Sequence, residues 1–180
     1  VKLRIALVTA REALPLDEDM PPLKAAMAGA GVTADAPCWD DPGVDWSSYD
    51  AALLRSTWDY VDRIDDFLAW CERCARQTQL LNPPGVVRWN TDKHYLVHLA
   101  RAGVPVVPTR FIEPGVDAVA ELSCFLDGGA GALTVGSCDS FEQFVVKPSV
   151  GAGSRDAARY RRQDRKRAEE HVARLLSSGR

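Results

Sequence analysis

Residues 1–85 alternate short apolar runs with amphipathic stretches, and that alternation restricts the fold more than any other feature. Leu3-Arg4-Ile5-Ala6-Leu7-Val8-Thr9-Ala10 reads as a first strand. It is almost continuously apolar, as a strand covered on both faces is. Asp17-Glu18-Asp19 precedes Met20-Pro21-Pro22, an acidic N-cap region with proline at the helix start. Gly29-Ala30-Gly31 stops that helix. Val32 to Trp39 reads as a second strand, Asp40-Asp41-Pro42-Gly43 as a turn, and Ala51-Ala52-Leu53-Leu54 as a third strand. Ile64, Phe67, Leu68, Cys71 and Ala75 recur at helical spacing, which predicts an amphipathic helix over 63–78. Leu80-Leu81 is a short strand stopped by Asn82-Pro83-Pro84-Gly85. Strands alternating with helices imply an α/β fold with a parallel sheet and helices on both faces.

The remainder reads differently. Asn90 or Thr91 is expected to cap a helix over 92–102 that ends at Gly103. Val104 to Ile112 reads as a strand broken by prolines, either an edge strand or two short pieces. Residues 113–140 are rich in Gly, Ser and acids and show no clear period. They read as an inserted loop with a short helix at Val116–Leu126 and a flexible stretch at Gly128-Gly129-Ala130-Gly131. A return strand at Ala157–Tyr160 and a last helix over Asp164–Leu176 complete the chain.

The densest chemistry lies in Phe144-Val145-Val146-Lys147-Pro148-Ser149-Val150-Gly151-Ala152-Gly153-Ser154-Arg155. β-Branched residues favour a half-buried extended backbone. Gly151 and Gly153 tolerate positive φ and let successive N–H groups face inward, which makes a concave anion site. Lys147 and Arg155 flank it with fixed positive charge, a combination suited to a polyphosphate. It is not a P-loop, because the lysine precedes the glycines, nor a dinucleotide fingerprint, because Asp156 stands where the third glycine would fall. The plain alternative is a β-hairpin with a Gly-rich loop.

Arg55, Ser56, Trp58 and Asp59 follow a buried strand, and Arg11 follows the first strand at the equivalent edge. Ligands bind at that edge of open α/β sheets, where two arginines could clamp a carboxylate. The alternative has Trp58 and Tyr60 covering the core and Arg55 solvated. Lys93, in the first turn of its helix, calls for a nearby anion, either Asp92 or a bound phosphate. Cys71 and Cys74 sit beside an apolar stripe and read as core thiols, with Cys124 and Cys138 isolated from them. His94 and His98 are four apart, but no third metal ligand is evident. The basic run from Arg159 to Arg167 is diluted by Asp164 and reads as solvated surface.

Bulk properties bound the function. A 46% apolar fraction supports a real core, and a net charge of −3 argues against a protein built to hold nucleic acid. Five cysteines at scattered spacing disfavour a disulfide framework and fit a reducing cytoplasm. Ile5-Ala6-Leu7-Val8, the longest apolar run near the start, is too short for a membrane span, so the expected chain is soluble and cytoplasmic.

Asn90-Thr91-Asp92-Lys93, then Pro105-Val106-Val107-Pro108-Thr109, then Phe144-Val145-Val146-Lys147-Pro148 and Gly151-Ala152-Gly153-Ser154-Arg155, in that order, resemble the ATP-grasp superfamily. Arg55-Ser56-Thr57-Trp58-Asp59-Tyr60 further resembles a subgroup near glutathione synthetase that includes the cyclo-ligase of cycloserine biosynthesis. The resemblance implies a Rossmann-like pre-ATP-grasp domain over 1–88 and the first α+β lobe of an ATP-grasp domain over 89–180, with the second lobe absent. It implies a ligase that activates a small carboxylate with ATP as an acyl phosphate, which an amine or similar nucleophile then attacks. Lys93 and Lys147 would contact ATP phosphates, and Gly151, Ala152, Gly153, Ser154 and Arg155 would form a lid. Arg11, Arg55, Ser56 and Asp59 would face the second substrate, and no residue is assigned as catalytic. The Mg2+ ligands of the family are expected in the absent lobe, since no Glu-x-Asn pair follows the Gly loop. A chain so truncated is expected to be inactive alone and to self-associate through an uncovered lobe face. The alternative is a non-catalytic nucleotide-binding or scaffold module.

Overall fold

Unbroken small and branched apolar residues place β1 (Arg4–Thr9) at the middle of a sheet: Ala6, Leu7 and Val8 are wholly buried. The computed structural model describes residues 2–129, 134–136 and 141–178. It divides into two compact units, Val1–Asn90 and Thr91–Arg180.

The first unit is the expected parallel sheet. After β1 come α1 (Met20–Gly29), β2 (Thr33–Asp35), β3 (Ala51–Ser56), α2 (Ile64–Ala75), β4 (Gln79–Leu81) and α3 (Pro84–Thr91). The strand order is β2-β1-β3-β4, all parallel, with Ala6 opposite Ala52 and Leu7 opposite Leu53. The order reverses between β1 and β3, and the crevice beyond their carboxyl ends is where open α/β sheets hold ligands. The α2 stripe of Phe67, Leu68, Trp70, Cys71 and Cys74 is buried in one core with Ala6, Val8, Ala52, Trp39 and Trp46. Its aromatic rings meet edge-on or stacked, with Trp39 5.4 Å and Trp70 5.8 Å from Phe67. Burial raises the Cys71 thiol to about 12 and the Cys74 thiol to about 11, so both stay neutral and behave as apolar core groups.

Three expectations for this unit are corrected. The second strand stops at Asp35 rather than running to Trp39; Pro37 lacks an N–H, and pairing resumes as a single bridge between Thr9 and Cys38. The third strand continues through Arg55 and Ser56, which are its last residues rather than its sequel. Asp19 precedes α1 but makes no side-chain cap; its carboxylate goes to Arg55 instead.

The second unit contains α4 (Tyr95–Arg101), β5 (Thr109–Arg110), α5 (Ala118–Leu126), β6 (Thr134–Val135), β7 (Gln143–Val146), β8 (Ala158–Arg161) and α6 (Arg165–Ser177). β5 pairs with β6 and β7 with β8, each antiparallel. The period-two pattern of β7 turns Phe144 and Val146 inward against Leu122 and Leu126 of α5 and Ala168, Val172 and Leu175 of α6. Gln143, Val145, Arg159 and Arg161 are exposed, so the outer hairpin face is mostly polar.

The helix expected over 92–102 is shorter. Pro84, read as a stop, is instead the first residue of α3, a position its fixed φ suits, and α3 takes in Asn90 and Thr91. His94, not Asn90 or Thr91, precedes α4, and Lys93 lies in the turn between the helices. The broken strand over 104–112 reduces to β5. The inserted segment is pinned rather than loose over its described part. Asp117 caps α5 by accepting from Val119 N and Ala120 N, both at 3.0 Å. Arg110, 6% exposed, donates to Glu121 Oε2 at 2.6 Å and to Gly129 O at 3.3 Å. A Cβ on Gly129 would lie 2.3 Å from Cys124 Sγ, so close approach, not flexibility, demands that glycine. Ala130, Gly131 and Cys138 lie outside the described residues.

Candidate functional site

A register shift between Val8 and Thr9 brings Thr9 opposite Ser56 at the carboxyl edge of the first sheet. Both are wholly buried, and their hydroxyls meet at 3.0 Å. Arg55 reaches back to Asp17 Oδ1 at 3.0 Å and Asp19 Oδ2 at 3.1 Å. The Asp17 side chain is only 3% exposed. Arg55 Nε and Asp17 Oδ2 are buried with no hydrogen-bond partner among the described residues. Asp59 accepts from Trp39 Nε1 at 2.9 Å and Arg63 at 2.8 Å, and Arg63 also holds Asp40 and covers the Trp39 ring. Trp58 is 41% exposed, while Tyr60 packs on the core. Arg11 is exposed, and its charge opposes the rise that burial gives the Cys38 thiol. The four residues singled out in the sequence thus share an edge. Three of them are already engaged within the unit, and the partner sequence reasoning missed is Asp17, masked by its place in an acidic run.

The second unit brings its predicted residues closer together. The backbone N of Lys93 donates to Ser149 O at 3.0 Å, and Asp92 bridges Val150. Lys93 Nζ donates to Ser149 O at 3.0 Å and Gly151 O at 3.4 Å. Burial lowers the Lys93 pKa, nearby Lys147 lowers it further, and Asp92 opposes both. Asp92, however, spends its carboxylate on His94. Lys147 directly follows β7 and is exposed. A Cβ at Gly151 would lie 3.7 Å from Lys93 Nζ, an ordinary contact.

The loop differs in detail from the expected row of inward amides. Gly153 has φ +60°, Ser154 +58° and Asp156 +55°, whereas Gly151 is not among the positive-φ residues. Arg155 N bonds Ala152 O and Ala157 N bonds Ser154 O, each at 3.1 Å. The Arg155 guanidinium approaches Asp156 at 4.0 Å, and Arg174 of α6 holds Asp156 at 3.4 Å. Below it, the Tyr160 hydroxyl meets Nδ1 of buried His171 at 3.0 Å. Sequence reasoning gave this anchoring no weight, because Asp156 and Arg174 are eighteen residues apart. It likewise missed Glu113 and Phe111 around His94.

The paired cations and close backbone fit a polyphosphate. Among the described residues no group of three or more His, Cys, Asp or Glu side chains is placed to hold a metal ion, and Asp92, His94 and Glu113 are paired with one another. Nor is any described helix long and apolar enough to cross a membrane. In the basic run, Arg162 and Arg165 approach Asp127 while Arg165 also meets Glu169, as on a solvated surface.

Residues 5–82 match the family described as D-cycloserine synthetase DcsG, N-terminal domain. The chain is 45% identical to the cycloserine biosynthesis protein DcsG of Streptomyces lavendulae over 175 residues, 97% of this chain and 56% of that protein. Its fold matches a crystal structure of D-cycloserine synthetase DcsG with a TM-score of 0.79 and 43% identity, covering 98% of this chain and 56% of that one. The chain is thus homologous to DcsG and spans a little over half its length. It shares the mixed α/β fold with the four-stranded parallel sheet.

Proposed function

We propose, from that homology and the paired lysines, that this chain is the nucleotide-contacting portion of an ATP-grasp carboxylate–amine ligase acting in a biosynthetic step like that of DcsG. One observation carries the reading. Lys93 Nζ lies against the carbonyls of Ser149 and Gly151 at the root of the glycine loop, where burial and Lys147 disfavour its charge, and Asp92, which favours it, also holds His94. Such a pair of lysines is stabilised by an anion, and a polyphosphate supplies several charges at the required spacing.

Bound ATP would supply a phosphoryl group to a small carboxylate, giving an acyl phosphate open to an amine. The chain's own part is positioning and charge stabilisation, which is most of what phosphoryl transfer asks of a protein. Lys93 and Lys147 would hold phosphate oxygens, residues 151–155 would cover them, and Arg11 would offer a cation to the acyl substrate. Arg55, Ser56 and Asp59 would shape that edge rather than clamp, since Arg55 and Asp59 are spent on Asp17, Asp19, Trp39 and Arg63 and Ser56 on Thr9. A second reading is nucleotide binding without turnover.

Calorimetric titration of ATP, with and without Mg2+, into this chain and into Lys147→Ala tests both. Binding that weakens roughly tenfold in the variant is expected from loss of one charge-assisted contact. Equal affinity in parent and variant would remove nucleotide from the Gly loop. Binding without ATP hydrolysis or product would support the second reading over the first.

A further inference from the structure

His94 lies where the two sides of the lysine turn meet. Its Nδ1 is 2.6 Å from Asp92 Oδ1 and its Nε2 is 2.8 Å from Glu113 Oε1. The same Asp92 oxygen accepts from the His94 backbone N at 3.0 Å. The ring stacks on Phe111 with centroids 4.1 Å apart. A neutral imidazole has one N–H and one lone pair, so a carboxylate at each nitrogen is satisfied only when both donate. The geometry therefore selects the imidazolium.

The charged groups brought against the ring are Asp92 from its own turn and Glu113 from the segment after β5; Phe111 adds an uncharged face. Burial opposes charge on the ring, but the two carboxylates outweigh it and its pKa is raised. On the other side of the turn, Asp92 bridges Val150 and Lys93 N bonds Ser149 O. The backbone that carries Lys93 is thus tied at one side to Phe111 and Glu113 and at the other to the root of the Gly loop.

We propose that His94 is a positioning residue: as a cation clamped between Asp92 and Glu113, it fixes the Asp92–Lys93 turn against the Gly loop. Its consequence for ligand binding rests on the nucleotide reading above, whereas the clamp does not. The sign follows from the raised pKa. The clamp is complete below the ordinary histidine range and is lost as pH rises through the ring's own titration.

The test follows the His94 ring and the Lys93 amide together by NMR, with amide exchange corrected for its intrinsic pH dependence. Lys93 protection is expected to hold at acid pH and fall in step with loss of the ring proton. In Glu113→Gln that fall moves to lower pH. In His94→Gln protection is absent throughout, and in His94→Arg, which keeps a cation between the carboxylates, it persists across the range. A ring that titrates at or below its ordinary value, or protection that ignores the ring, overturns the clamp. ATP titrations across the same pH range, with His94→Arg as the baseline for ATP's own ionisation, give the ligand arm. The parent is expected to lose affinity roughly tenfold relative to that baseline as the ring deprotonates. If ATP binds at no pH while protection still follows the ring, the nucleotide reading fails and the clamp stands.

Discussion

In the first unit, cations find carboxylates: Arg55 meets Asp17 and Asp19, and Arg63 meets Asp40 and Asp59. In the second, where Arg110 and Arg174 also hold carboxylates, Lys93 Nζ donates to the carbonyls of Ser149 and Gly151 while burial and Lys147 lower its pKa against Asp92. The first arrangement is complete without a ligand and belongs to the architecture of the sheet edge. At Lys93 burial and a like charge outweigh Asp92, so on the reading proposed above a bound anion would add stability there. Polar residues at a sheet edge are therefore a weaker sign of a site than a pair of like charges held together.

The largest expected break in this contrast is Phe67→Ala. Phe67 is 2% exposed among Trp39, Tyr60 and Trp70, and its loss is expected to cost the first unit about 3–5 kcal/mol. Chemical denaturation followed by tryptophan fluorescence reads this, since Trp39 and Trp70 border the cavity. A change below 1 kcal/mol would mean that the aromatic cluster is not the core. Next, Asp17→Ala leaves Arg55 with Asp19 alone and is expected to lower stability by about 2 kcal/mol. Lys147→Ala sharpens the comparison from the other side. It is expected to leave the denaturation midpoint unchanged or slightly raised, because it removes repulsion on Lys93, while ATP affinity falls. A marked loss of stability would show Lys147 to be structural. Smallest is Arg174→Ala: the Arg174–Asp156 pair is 63% and 27% exposed, so less than about 0.5 kcal/mol is expected.

What could be read beforehand follows the range of the interactions. Ala6, Leu7 and Val8 announce a strand buried on both faces by composition alone, and the α2 stripe announces its helix by spacing. Pro84 misled because the same residue that ends one element opens another, and only the following turn shows which. Lys93, Lys147 and Gly151 were visible because cations and glycine cluster in short motifs. The Asp92–His94–Glu113 clamp was not, because its members span 92 to 113 and meet only when the intervening helix and strand have folded. Arg55 looked available because sequence shows a charge but not its partner.

The left-handed backbone at Ser154 and Asp156 has an entropic consequence. A glycine at either place would sample both halves of the φ range in solution, and all but one region would be lost on covering a ligand. A residue with a Cβ that already occupies the left-handed region has fewer states to surrender. The turn from Gly153 to Asp156 is shaped in advance, so on the lid reading proposed above the freedom lost in covering an anion would fall mainly on Gly151 and Ala152.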